Sequence, residues 1–149
     1  TVRGITIKGF ANNGLFARGV DGFVIDETGA IQDETLFDRV KAGKGILRNI
    51  YDNCYTGCSM AFTRELLEVA IPFPPHIPMH DSWLGILSEL FGEVEFVAEK
   101  TIQYRRHTAN ASYRRRNVLQ QVRWRYFLAY HLLRRYLTHR PGRRGERRH

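Results

Sequence analysis

The segment Ile77-Pro78-Met79-His80-Asp81-Ser82-Trp83 sets an imidazole and a carboxylate side by side behind a run of prolines. Proline breaks a helix interior and pushes the residue before it to extended backbone. Pro72, Pro74, Pro75 and Pro78 therefore make residues 71–79 an ordered, extended loop that delivers His80 and Asp81 to a helix N-terminus. A carboxylate held at such a junction can take the proton of a bound hydroxyl as that oxygen attacks. Asp is also a preferred helix cap, and its two oxygens allow both roles. His76 and His80 stand four apart, a zinc spacing on a helix. Together with Asp81 they would suit a metallohydrolase, but Pro78 between them argues against the helix this needs.

Two other clusters carry chemistry. Gln103-Tyr104-Arg105-Arg106-His107 puts two guanidinium groups and an imidazole where a strand should end, a combination that can grip a diphosphate and its metal ion or simply form a solvated basic turn. Gly57-Cys58-Ser59-Met60-Ala61 is built of small residues, which let a ligand approach the backbone closely or pack tightly in a sheet. Cys54 and Cys58 are the only cysteines. Two cysteines make no disulfide framework and suit a reducing compartment, where they pack as small hydrophobes. CxxxC alone is weak evidence for zinc, which normally takes four ligands. Asn110-Ala111-Ser112 fits a glycosylation pattern, but residues 1–20 hold no secretory signal.

These clusters need elements to position them. Residues 5–10 suit a short strand and Asn12-Asn13-Gly14 a turn. Phe23-Val24-Ile25 reads as a buried strand entering the turn at Asp26-Glu27-Thr28-Gly29. Residues 34–50 read as two short helical pieces divided by Gly43 and Gly45. Thr63 is the expected N-cap of a helix over residues 63–70. Residues 82–91 read as a helix stopped at Gly92, followed by strands at 94–97 and 101–105 and a loop at 106–117. The last helix, about 118–138, is the clearest element. At about 100° per residue, Val118, Leu119, Val122, Tyr126, Ala129, Tyr130, Leu133, Tyr136 and Leu137 share one face, expected to face the core. Gln120, Arg123, His131, Arg134 and Arg135 fall opposite, with Trp124, Phe127 and Leu128 out of place among the arginines.

The chain has 149 residues, 43% of them hydrophobic and 26% charged, which is the composition of one globular domain. No apolar run approaches the roughly 20 residues of a membrane-spanning helix. Residues 1–112 hold 11 basic and 14 acidic side chains, whereas residues 113–149 hold 12 arginines against one acid, Glu146. The net charge of +8 thus belongs to the C-terminal quarter, not to the body. Three segments are expected: a body at 1–112, an amphipathic basic helix at 113–139 and a disordered Arg-rich tail at 140–149.

Taken in order, several motifs resemble one family. They are Val24-Ile25-Asp26-Glu27-Thr28-Gly29, Asn53-Cys54-Tyr55-Thr56-Gly57-Cys58-Ser59-Met60-Ala61-Phe62, Leu66-Leu67, Pro72-Phe73-Pro74, Met79-His80-Asp81-Ser82-Trp83, Tyr104-Arg105-Arg106-His107 and Asn110-Ala111-Ser112. Over roughly residues 20–115 the chain is similar to family 2 glycosyltransferases, above all the rhamnosyltransferase-like members that build O-antigen and other surface polysaccharides. The resemblance implies an α/β fold, the C-terminal, acceptor-side half of an A-type, Rossmann-like glycosyltransferase fold, followed by the basic helix. It implies Asp81 as catalytic base with His80 beside it, and Gly57, Cys58 and Ser59 near the donor sugar. Arg105 and Arg106 would lie at the diphosphate, His107 at a Mg²⁺ or Mn²⁺ ion, and Met79 and Trp83 at the acceptor.

The reaction implied is inverting transfer of a sugar such as rhamnose from a nucleotide sugar to a hydroxyl of a lipid-linked glycan. The family's aspartate-rich DxD metal motif is missing before Val24, and the chain opens on Thr1 rather than Met. The expectation is a fragment, inactive alone because its donor-binding half is absent. A cytoplasmic protein, peripheral on the inner face of the plasma membrane, is expected. Residues 113–149, with Trp124, Phe127 and Leu128, would meet its anionic lipids. The rival from another class is a basic nucleic-acid-binding module, with the arginines of 113–149 on phosphates and Tyr113, Trp124, Tyr126 and Tyr130 stacking on bases.

Overall fold

A computed structural model describes residues 16–26, 28–33, 35–77, 79–105 and 117–139. The strand expected at 5–10, the turn at 12–14, Pro78, Arg106, His107, the sequon at 110–112, Tyr113 and the tail at 140–149 lie outside the described residues.

The elements run β1 (Phe16–Ile25), β2 (Ile31–Asp33), α1 (Leu36–Val40), α2 (Ile46–Tyr51), a 3-10 turn (Gly57–Ser59), β3 (Met60–Phe62), α3 (Arg64–Ala70), α4 (His80–Phe91), β4 (Glu93–Arg105) and α5 (Val118–Thr138). Among the described residues the architecture is mixed α/β, with five α-helices and one mixed sheet. β1 pairs with every other strand: parallel to β4 over its whole length, antiparallel to β3 at residues 17–19 and to β2 at its C-terminal end.

Two expected strands merge in β4. The polar stretch Ala98-Glu99-Lys100 that seemed to divide them is absorbed by register shifts against β1 between Val20 and Gly22. A bulge accommodates extra residues by letting them go unpaired while the ladder continues on either side. Likewise the apolar run at 23–25 is only the end of a ten-residue β1. The parallel ladder carries it back to Phe16 through residues that show no apolar run of their own.

Helix starts follow local chemistry. Thr63 caps α3, its hydroxyl accepting from Leu66 N at 3.4 Å. Thr35 does the same for α1, accepting from Asp38 N at 3.0 Å. α4 differs from expectation by two residues: Met79 is its N-cap and Asp81 lies inside the first turn. A carboxylate there still favours the positive end of the helix.

α4 is the centre of the core. Seven successive residues, Ser82 to Ser88, are buried, so the helix is covered on every side. Its small positions admit neighbours. Gly85 lies under the Tyr55 ring so closely that an added Cβ would sit 2.2–2.5 Å from three ring carbons. Tyr55 in turn stacks on Phe96 of β4, with centroids 5.9 Å apart. Buried hydroxyls are satisfied within the helix, Ser88 Oγ donating to the Leu84 carbonyl at 2.8 Å.

α5 packs opposite to expectation. Leu128 and Leu132 are its buried residues and join the same apolar core. The stripe from Val118 to Leu137, expected inside, faces out. The reason lies in the carbonyls that end a helix without intrahelical donors. Arg125 donates to the Tyr51 carbonyl at the end of α2, at 2.8 and 3.1 Å, and covers the Tyr51 ring at 4.3 Å. Arg135 donates to the carbonyls of Ile71 and Pro72 just beyond α3, at 3.1 and 2.8 Å. These two guanidinium groups, together with the buried Leu128 and Leu132, hold this side of α5 to the body.

Substituting Gly85→Ala should lower folding stability by at least about 2 kcal/mol, because overpacking against a buried ring leaves no rotamer of Tyr55 in place. The denaturant midpoint measures it. An unchanged midpoint would mean that the ring is not held against α4.

Candidate active site

A cavity of about 580 Å³ opens between α1, the end of α2, the start of α4, β4 and α5. That is within the range of ordinary ligand pockets. Asp81 and Ser82 line it from α4, and Met79 from the residue before that helix. Segment 53–56 contributes Asn53, Tyr55 and Thr56; α5 contributes Gln121, Trp124, Arg125 and Leu128. Arg39, Lys41 and Arg125 bring positive charge, Asp52 and Asp81 negative charge, and Tyr51, Tyr55, Tyr104 and Trp124 aromatic surface.

Asp81 is fixed by two backbone donors. Its Oδ1 accepts from Ser82 N at 2.7 Å and its Oδ2 from Gly57 N at 3.2 Å. An added Cβ on Gly57 would sit in ordinary contact with the Asp81 Cβ, at 3.5 Å, so the two residues are close neighbours. Burial raises the Asp81 carboxyl above the ordinary carboxylate value, and the Ser82 and Gly57 N–H groups offset part of that rise. The group is thereby a better proton acceptor than an exposed aspartate, while keeping free lone pairs toward the cavity.

A second carboxylate builds the wall. Glu89 accepts from Gly45 N at 2.6 Å, from Asn49 Nδ2 at 2.9 Å and from the Tyr55 hydroxyl. Burial raises the Tyr55 phenol far above its usual value, and the Glu89 carboxylate adds to the rise. Tyr55 therefore stays a proton donor and acts as a strut. Asn49, itself buried, also donates to the Gly43 carbonyl at 3.0 Å and accepts from Cys54 N at 3.2 Å. This network sets the course of residues 43–57 and hence the position of Gly57.

The structure brings some of the expected residues together and separates others. Asp81 and Met79 line the cavity, and Gly57 donates its N–H to Asp81 without lining it. Cys58 is exposed on the turn beside them, whereas Ser59 is buried with its hydroxyl on the Thr56 carbonyl at 2.9 Å. His80 is exposed and packs edge-on against Phe73, with centroids 4.9 Å apart; it does not line the cavity. Trp83 does not face an acceptor channel. It is fully buried, its indole N–H donating to the Ala70 carbonyl at 3.0 Å, because it follows cavity-lining Ser82 directly and a helix turns about 100° per residue. Arg105 donates to the Asp26 carbonyl at 3.4 Å, next to the Asp26-Thr28 turn rather than in the cavity wall. Arg106 and His107 lie outside the described residues.

Arg39, Lys41, Tyr51, Trp124 and Arg125 escaped sequence reasoning. For Trp124 a signal existed: a tryptophan out of register with the apolar stripe of its helix marks a second, independent contact. Among the described residues no group of three His, Cys, Asp or Glu side chains could hold a metal ion, and no helix is long and apolar enough to cross a membrane. No family model, curated protein or solved structure matches the chain.

A carboxyl whose pKa is raised on folding holds its proton more tightly in the folded chain. Its contribution to stability is greatest below the ordinary carboxylate value, falls as pH rises through the window up to the folded pKa, and is flat above it. Asp81→Asn should remove that slope. Denaturant midpoints of both proteins across pH 3–7, the span in which carboxylates titrate at roughly pH 4, would show it. A wild-type minus variant difference that does not vary with pH would count against a raised Asp81.

Proposed function

We propose that this chain is part of an inverting glycosyltransferase in which Asp81 is the catalytic base. The observation that carries the reading is Asp81 itself: a half-buried carboxylate of raised pKa, held by two backbone N–H groups in the wall of a ligand-sized cavity. Asp81 takes the proton of an acceptor hydroxyl. The freed oxygen attacks C1 of the donor sugar, the bond from C1 to the nucleoside diphosphate breaks, and the configuration at C1 inverts. The base then carries the proton until it is lost to water.

The lining supports a sugar acceptor. Asn53, Thr56, Ser82 and Gln121 offer amide and hydroxyl groups, and Tyr51, Tyr104 and Trp124 offer flat apolar surface, the mixture that a hydroxyl-rich ring with apolar faces requires. Arg39, Lys41 and Arg125 favour an acceptor that carries negative charge, as a lipid-linked glycan does through its phosphates. The parallel β1–β4 ladder with helices between its strands is compatible with the acceptor-side half of an A-type fold. Mg²⁺ or Mn²⁺ remains part of the reading through His107, which lies outside the described residues. The described donor set alone does not fit such an ion, so no step is routed through it.

In the full-length protein that carries these residues, Asp81→Asn should lower transfer at least about 100-fold, the usual contribution of a positioned base. Donor affinity should stay within a few-fold, because Asp81 serves the acceptor. His80→Ala should be milder, its ring lying outside the cavity. Turnover by the Asp81→Asn protein above about a tenth of wild type would overturn the assignment.

A further inference from the structure

The outer face of α5 is apolar from end to end, and among the described residues nothing covers it. Val118, Leu119, Val122, Tyr126, Tyr130, Leu133, Tyr136 and Leu137 are each 50–75% exposed. Over 21 residues this makes a ridge about 30 Å long at 1.5 Å per residue. The helix cannot roll to bury it, because Leu128, Leu132, Arg125 and Arg135 already hold the opposite side to the body.

We propose that α5 lies flat on an anionic lipid surface, with this ridge among the upper acyl chains and its neighbouring arginines on headgroup phosphates. Charge selects the occupant. On a helical wheel Arg123 and Arg134 border the ridge on the Tyr130 side, and residues 113–149 hold 12 arginines against one acid. A second copy of the chain would bring the same arginines to the contact and repel it. A phosphate-bearing surface answers both the apolar ridge and its basic border. The tyrosines fit as well: Tyr126, Tyr130 and Tyr136 are amphipathic rings of the kind that gather at headgroup level. α5 is not long and apolar enough to cross a membrane, so the contact proposed is with the surface only. The contact face is therefore not the one with Trp124 and Leu128, which look inward. Those residues wall the cavity from the other side of the same helix, so a lipid surface would lie only about one helix diameter, roughly 10 Å, from the cavity wall.

Co-sedimentation of the full chain with vesicles tests this. Vesicles containing about 30% phosphatidylglycerol should bind the protein at least about ten-fold more tightly than pure phosphatidylcholine. Val122→Glu with Leu133→Glu should weaken that binding about ten-fold or more, since both side chains would otherwise be buried in the lipid. The two positions touch neither core nor cavity, so the melting temperature should hold. Arg123→Gln with Arg134→Gln should lower the anionic preference at least about three-fold and leave folding intact. Any of three results would overturn the proposal. One is binding that the glutamates leave unchanged. Another is absence of vesicle binding alongside self-association that the glutamates abolish. The third is absence of vesicle binding alongside tight binding to RNA.

Discussion

The carboxylate of Glu89 holds the site together. It collects three donors, the Gly45 N–H at the start of α2, the Asn49 amide within α2 and the Tyr55 hydroxyl in the loop after it. Apart from the short α2, the stretch between α1 and Gly57 has no regular structure to fix its path. A charged acceptor forms hydrogen bonds stronger than neutral ones, and its partial burial removes the competition from water. The segment is thereby tied to α4, the most buried element of the chain. Everything downstream inherits this: the Tyr55 ring on Gly85 and Phe96, the bend at Asn53 to Thr56, and the Gly57 N–H that reaches Asp81.

The two acids of α4 thus divide their labour by depth. Glu89 is saturated with donors and faces the inside of the segment it organises. Asp81, two turns earlier, receives two backbone N–H groups and keeps the rest of its acceptor capacity for the cavity. Burial of Asp81 outweighs the backbone N–H groups and the nearby His80 that work against it, which is why its proton affinity rises. A base that is too well paired would be a poor proton acceptor. The structure supplies enough hydrogen bonds to position the carboxylate and too few to quench it.

α5 shows how a basic helix can be structural on one side and exposed on the other. Arg125 and Arg135 end as donors to carbonyls left over by α2 and α3, and their guanidinium faces lie over Tyr51 and Trp83. Arginine suits this because its planar fork donates along its edge while its face stacks on a ring. The result leaves the helix's broadest apolar surface exposed.

Much of this was legible in the residues alone. Capping chemistry and proline placed Thr63, the loop at 71–79 and the start of α4 to within two residues, because those signals act over a single turn of chain. The same locality exposed Asp81 as the residue to watch, whereas its contact with Gly57, 24 residues away, is made only by the fold. Three matters were decided only in three dimensions. Periodicity identified α5 as amphipathic but could not say which face turns inward, since that depends on carbonyls at the ends of two other helices. The separation of Ser82 from Trp83, one in the cavity wall and the other in the core, depends on the angle at which α4 meets its surroundings. The cavity itself draws on residues from 36 to 128, and no spacing along the chain records a meeting made by packing. The sequence by itself determined the local chemistry of each element; the tertiary structure decided which of those groups face one another, because burial and hydrogen-bond satisfaction are summed over the whole fold.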